Sequence, residues 1–235
     1  MRIDDHGRTG QRLGRIWCDD TLLWMNGGLS CDGDSVALTA ATQPSIEEIL
    51  LGGLPGLPEV AMHWPLLDFQ CGPDQGPDNV IEWWHRADRG ELEPFILAVE
   101  GSVPDESIKS DGYWTGFGNN PDTGQPMTAN KWLDRLAPKA WAVLAVGTCA
   151  AYGGIHAMAG NPTGAMGVPD YLGWGWKSKA GIPIVCVPGC PVQPDNLSRD
   201  HPVHALPRRR PRARDRTRRR TSPQVVVRGD GARGL

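Results

Sequence analysis

At 235 residues, with 22% charged and 40% hydrophobic side chains, the chain is long enough for one large domain with a substantial buried core. No apolar run approaches the roughly 20 residues that a membrane-spanning helix needs, so no transmembrane segment is expected. The formal net charge of -3 joins two unlike pieces: residues 1–198 carry 12 basic and 24 acidic side chains, whereas residues 199–235 carry 12 arginines and three aspartates.

Residues 1–17, MRIDDHGRTGQRLGRIW, form an N-terminal extension with no apolar segment after its arginines and no twin-arginine pair. They are not a secretory signal, and the expected location is the cytoplasm, with any membrane association supplied by partners. In that compartment the six cysteines are expected to be metal ligands or buried apolar residues, not disulfides.

TLLWM (21–25) is the first expected strand, and it runs into NGGLSCDGDSVALTA (26–40). There, where a second cysteine would complete a C-x-x-C pair with Cys31, the chain has Asp34. A helix is expected from DSVALTAA, with Asp34 or Ser35 as its N-cap, and another from PSIEEILL. A second strand candidate, PEVAMHWPLL (58–67), leads to DFQCG and Cys71. DNVIEWWHRA reads as a helix, PFILAVEG (94–101) as a strand entering SVP, and ANKWLDRLA as a helix. WAVLAVG (141–147) runs into TCAAYGG, and IPIVCVPG (182–189) into CPVQP. These short, continuous apolar runs suit strands covered on both faces. Their alternation with helices predicts an α/β, doubly wound parallel sheet.

Ligands of such sheets gather beyond the carboxyl ends of the strands. Cys31, Cys149 and Cys190 all fall there, and the glycines of GTCAAYGG and PGCP let the backbone approach a bound group. A four-iron cluster takes four anionic ligands, usually thiolates, and these cysteines supply three. On spacing alone, buried small hydrophobes are the lesser alternative reading. A structural zinc on Cys186 and Cys190 is a weaker reading, because Cys186 lies inside an apolar strand. Cys18 has no motif. His63 and His85 sit in apolar surroundings and read as core or surface residues. Glu100, in the EGSVP turn at the ligand edge, is expected to shape the pocket or a subunit contact.

GLSCDGDS, EGSVP, AVGTCAAYGGI and VPGCPVQPDN, in this order and spacing, resemble the small subunit of nickel–iron hydrogenases. The long insert HAMAGNPTGAMGVPDYLGW separates the chain from the related iron–sulfur subunit of quinone oxidoreductases, as does the lack of an adjacent cysteine pair. The resemblance covers residues 18–198 and implies a flavodoxin-like domain holding a proximal four-iron four-sulfur (4Fe-4S) cluster. Carried over by position, the ligands are Cys31, Cys149 and Cys190, with Asp34 as the substituted fourth, a set that resembles the actinobacterial-type, oxygen-insensitive subgroup. Two other readings stand beside Asp34 as ligand: it only caps its helix, or Cys71 is the fourth ligand. The resemblance further implies hydrogen oxidation with a nickel–iron large subunit as partner and a downstream, quinone-linked electron acceptor.

In the family a second domain with medial and distal clusters follows, but no cysteine lies beyond Cys190. Residues 199–235 form instead an Arg/Pro-rich tail. Taken at face value it is a disordered basic arm of the kind that binds nucleic acid or anionic lipid. An off-frame origin explains it better, and no nucleic-acid partner is expected. Back-translation of Arg199–Leu206 in the shifted frame permits ETILYTLY, an amphipathic helical sequence. Resequencing the gene across codon 198 tests this: one base is expected to restore a cysteine-rich continuation, and an unchanged sequence rejects the shift.

Overall fold

The computed structural model describes residues 20–27, 29–54, 60–63 and 80–199. Its strands are β1 (Asp20–Asn26), β2 (Val60–His63), β3 (Phe95–Glu100), β4 (Gly116–Asn119), β5 (Pro126–Thr128), β6 (Ala142–Val146) and β7 (Val185–Val187). Five of them form one parallel sheet in the order β2-β1-β3-β6-β7. With the separate β4–β5 hairpin set aside, this is the flavodoxin-like order, in which the chain switches direction between β1 and β3. The helices are α1 (Gly33–Leu38), α2 (Ile46–Leu50), α3 (Val80–Asp88), α4 (Ala129–Leu136), α5 (Gly147–Tyr152), α6 (Val168–Leu172) and α7 (Pro194–Arg199).

The central strands are apolar at every position because both of their faces are covered. Side chains along a strand alternate between faces. Leu23 and Met25 of β1 and Leu97 and Val99 of β3 accordingly pack with Trp84 of α3 and Trp132 and Leu136 of α4. Leu22 and Trp24, with Ile96 and Ala98, pack on the opposite face with Leu38 of α1, Ile49 of α2 and Leu197 of α7. The five strands read from the sequence are all present.

Two local expectations change. GTCAAYGG does not stay a turn: α5 begins at Gly147, directly where β6 ends, so Cys149 lies in a helical first turn. The β4–β5 hairpin had no strong pattern in the sequence. It covers the tryptophan face, with the Phe117 ring tilted 33° against Trp84 at 4.3 Å and its carbonyl accepting a 2.6 Å bond from Trp132 Nε1. The extension, Cys18, Cys71 and the tail beyond Arg199 lie outside the described residues. Among the described residues no helix is long and apolar enough to cross a membrane.

One ion cluster ties the α3 end to α4. The Asp88 carboxylate accepts from Arg135 and from Lys139, which also bonds the Asp88 carbonyl at 2.6 Å. Burial pushes the Asp88 carboxyl up, but the bonds from Arg135 and Lys139 together outweigh it and hold it below its ordinary range. A depressed carboxyl adds stability above its unfolded pKa and loses it as pH falls through the folded one. Asp88→Asn should therefore cost about 1.5–3 kcal/mol at neutral pH, the range for hydrogen bonds to charged groups. Urea unfolding of both proteins should show the difference shrinking below about pH 4.

Candidate metal centre

At the carboxyl edge of the sheet, the loops after β1, β3, β6 and β7 are joined to one another by main-chain bonds. The β1 and β3 ends are held by Gly27 N donating to Glu100 O at 2.8 Å and Ser102 N donating to Leu29 O at 3.1 Å. The β6 and β7 ends are held by Thr148 N to Gly189 O at 2.7 Å and Gly189 N to Thr148 Oγ1 at 3.1 Å. Val192 N, beyond Cys190, donates to Asp34 Oδ1 at 2.6 Å, linking the first loop to the last. Cys31, Asp34, Cys149 and Cys190 are thereby drawn to one edge.

Asp34 does not cap α1. The helix begins at Gly33, two residues before the Ser35 start that an Asp34 cap implies, with Asp32 in the N-cap position in the left-handed conformation (φ 59°) and no side-chain capping bond. The capping role falls to a distant residue. Glu100 Oε1 accepts from Asp34 N and Oε2 from Ser35 N, each at 3.1 Å. With the first-turn N–H groups so satisfied, the Asp34 carboxylate is free to turn toward the β6 and β7 loops. Its Oδ2 lies 1.9 Å from where a Cβ on Gly147 would stand.

Glycines make room for these donors. A Cβ at Gly154 would come within 2.5 Å of Cys149 Sγ, and one at Gly33 within 3.1 Å of Cys31 Sγ. Gly147 and Gly154 also have φ of +83° and +55°, conformations that favour glycine. Cys31 and Cys190 are exposed and Cys149 is half-buried. Burial pushes the Cys149 thiol up; a bond from the Ile155 N–H opposes this, and the charges of Cys190, Cys31 and Asp34 add to it. Burial likewise raises the Asp34 carboxyl, against the pull of the Val192 N–H. These groups therefore feel one another's charge, and a bound cation would relieve the repulsion.

Among the described residues no three His, Cys, Asp or Glu side chains close on the position of a single metal ion. Three thiols and a carboxylate spread over separate loops suit a polynuclear centre, in which each metal ion takes its own protein ligand. The Cys186–Cys190 zinc reading does not fit. Cys186 is in β7, paired with Ala145 and packed on the core, and burial pushes its thiol up. His63 stacks on Trp83 at 3.6 Å, and His85 stacks on Trp132 at 5.5 Å beside Glu82, so both belong to the α3 packing. The sequence reading gives the glycines of GTCAAYGG a close-approach role but not the room that Gly147 leaves for Asp34 and Gly154 for Cys149, and it has no signal for the Val192 N–H.

Gly147→Ala should sharply reduce metal uptake, since its Cβ would collide with Asp34 and its backbone would be strained. Gly160→Ala is the control, with φ +96° but nothing within 4 Å; it should cost only about 1–2 kcal/mol of strain. Iron bound per chain after anaerobic reconstitution, alongside denaturation curves, separates the two.

Comparison with known proteins places the chain in a family. A family profile described as NADH ubiquinone oxidoreductase, 20 Kd subunit, matches residues 31–200. The periplasmic NiFeSe hydrogenase small subunit of Desulfomicrobium baculatum is 33% identical over 177 residues, covering 74% of this chain and 51% of the relative. The Hydrogenase-2 small chain of Escherichia coli is 27% identical, covering 75% and 40%. A solved structure of the actinobacterial-type NiFe hydrogenase from Ralstonia eutropha H16 superposes with a TM-score of 0.72 at 56% identity, covering 78% of this chain and 52% of that one. The chain thus spans about half the length of the curated relatives it matches. By these matches and the order of its cysteine loops, the chain belongs to the nickel–iron hydrogenase small-subunit family.

Proposed function

We propose that this chain is the electron-accepting part of a hydrogenase that oxidises molecular hydrogen, and that Cys31, Asp34, Cys149 and Cys190 hold a proximal 4Fe-4S cluster. The observation that carries the reading is the convergence of three thiols and one carboxylate on one sheet edge, joined through Val192 and Asp34. Such a cluster supplies one-electron transfer when bound. The chain's own residues orient the ligands and offer backbone N–H groups, as Ile155 does to Cys149.

A large subunit carrying the nickel–iron site is the proposed partner. Tyr152, Ile155 and Met158, which follow Cys149, are 53%, 72% and 65% exposed, so apolar side chains beside the ligand loops are left uncovered among the described residues. Exposed apolar groups rimming a site of this kind suit a protein interface. A quinone-linked acceptor, resting on the family resemblance, and a cytoplasmic location remain part of the proposal. Cell fractionation tests the location against the periplasmic placement named for the Desulfomicrobium relative.

Asp34 keeps the negative charge of a thiolate but donates less electron density. Replacing thiolates by imidazole in Rieske centres raises their potential, and a smaller upward shift is expected of a carboxylate. The full chain, reconstituted anaerobically, should bind about four irons. Asp34→Cys should keep them and lower the midpoint potential in a redox titration, Asp34→Ala should lose iron, and Cys71→Ala should change neither quantity. An unchanged potential in Asp34→Cys, or iron loss in Cys71→Ala, removes Asp34 from the ligand set.

A further inference from the structure

We propose that Glu100 is a positioning residue for the Asp34 ligand, holding it through the main chain rather than through its side chain. The inference rests on the cluster reading above. Glu100 ends β3, the middle strand of the sheet, opposite Asn26 of β1 and Val146 of β6. It is 1% exposed. Its carboxylate takes three donors: Asp34 N on Oε1, and Ser35 N at 3.1 Å and Trp24 Nε1 at 3.0 Å on Oε2. Among the described residues no lysine, arginine or histidine forms an ion pair with it.

A carboxylate buried without a cation is costly unless its hydrogen bonds serve the fold or the site. Packing alone gives no reason for one here, since the rest of β3 is apolar. The bonds explain the choice. Two acceptor oxygens on one rigid group meet two successive N–H groups, which fixes the backbone at residues 34 and 35. Val192 N then fixes the Asp34 side chain from the other direction. The next residue reinforces the hold: a Cβ on Gly101 would come 2.9 Å from Leu29 O and from Ser30 Cβ, so the loop carrying Cys31 lies directly on the turn after Glu100. An amide at position 100 has one acceptor oxygen and one donor group, and the donor would face an N–H. Residues that orient metal ligands from outside typically change metal affinity about 10- to 100-fold when altered.

The test uses the full 235-residue chain reconstituted anaerobically with iron and sulfide, then challenged with a chelator while the visible absorption of the cluster is followed. Glu100→Gln should lose its cluster about 10- to 100-fold faster than the unaltered chain. The electron paramagnetic resonance spectrum of its reduced cluster should also change, since the ligand at 34 is displaced. Trp24→Phe removes one donor from Oε2 and leaves both main-chain bonds, so it should accelerate loss less, in the same direction, with a smaller spectral change. Wild-type kinetics and spectrum in Glu100→Gln overturn the inference. Should that variant fail to fold, Glu100→Asp, whose shorter side chain withdraws the carboxylate from both N–H groups, takes its place, and wild-type kinetics and spectrum in it overturn the inference. An unaltered chain that takes up no iron sinks the cluster reading and this inference with it, whereas a loaded unaltered chain and an indifferent Glu100→Gln sink the inference alone.

Discussion

The candidate site depends on one buried carboxylate. Parallel strands end in loops that have no reason of their own to stay together, because each leaves the sheet toward its own crossover. Glu100 occupies the middle of that edge and takes the first-turn N–H groups of α1. The last strand is tied in by the Val192 bond to Asp34. The sheet supplies spacing, and these few polar contacts turn four separate loop starts into one surface. Their energies are individually of order 1 kcal/mol or somewhat more, small beside the apolar burial of the two sheet faces, yet burial alone does not orient a ligand.

Crowding anionic groups at this edge has a consequence for the metal-free chain. The Cys149 thiol and the Asp34 carboxyl are both raised, chiefly by burial, and the charges of Cys190, Cys31 and Asp34 push the thiol further. The Cys149 thiol is therefore held in its protonated form, and a metal taken up there must release that proton. Backbone N–H groups act in the opposite sense: with glycines at 147 and 154 leaving room for the donors, the Ile155 and Val192 N–H groups partly offset the charge of Cys149 and Asp34.

The sheet was legible because central parallel strands are apolar at every position. PFILAVEG, WAVLAVG and TLLWM all became β3, β6 and β1, with Cys31 and Cys149 just beyond their ends. What the sequence hid were relations between distant residues. An N-cap is sought among near neighbours, so Asp34 or Ser35 seemed the natural cap of α1; the acceptor that serves those N–H groups is 66 positions away from Asp34. GTCAAYGG looked like a loop because glycine depresses helix propensity, but positive φ at Gly147 lets a helix start at once from β6. The β4–β5 hairpin has only a short, glycine-broken pattern, GFGN, and is held by tertiary contact with Trp84 and Trp132 rather than by strand propensity.

Position 34 shows why an oxygen ligand is compatible with this frame. A thiolate presents one acceptor atom, which must serve any nearby N–H and any metal together. A carboxylate presents two. In this chain Oδ1 of Asp34 is committed to Val192 N at 2.6 Å, while Oδ2 faces the space beside Gly147 that no side chain fills. The same residue can thus brace the first loop against the last and still leave one oxygen for a metal ion. With a cysteine there, the Val192 N–H would compete for the ligand sulfur or seek another acceptor. On the proposed cluster reading, an aspartate at 34 does more than supply a ligand: it adds a strut, and Glu100 fixes the backbone end of that strut.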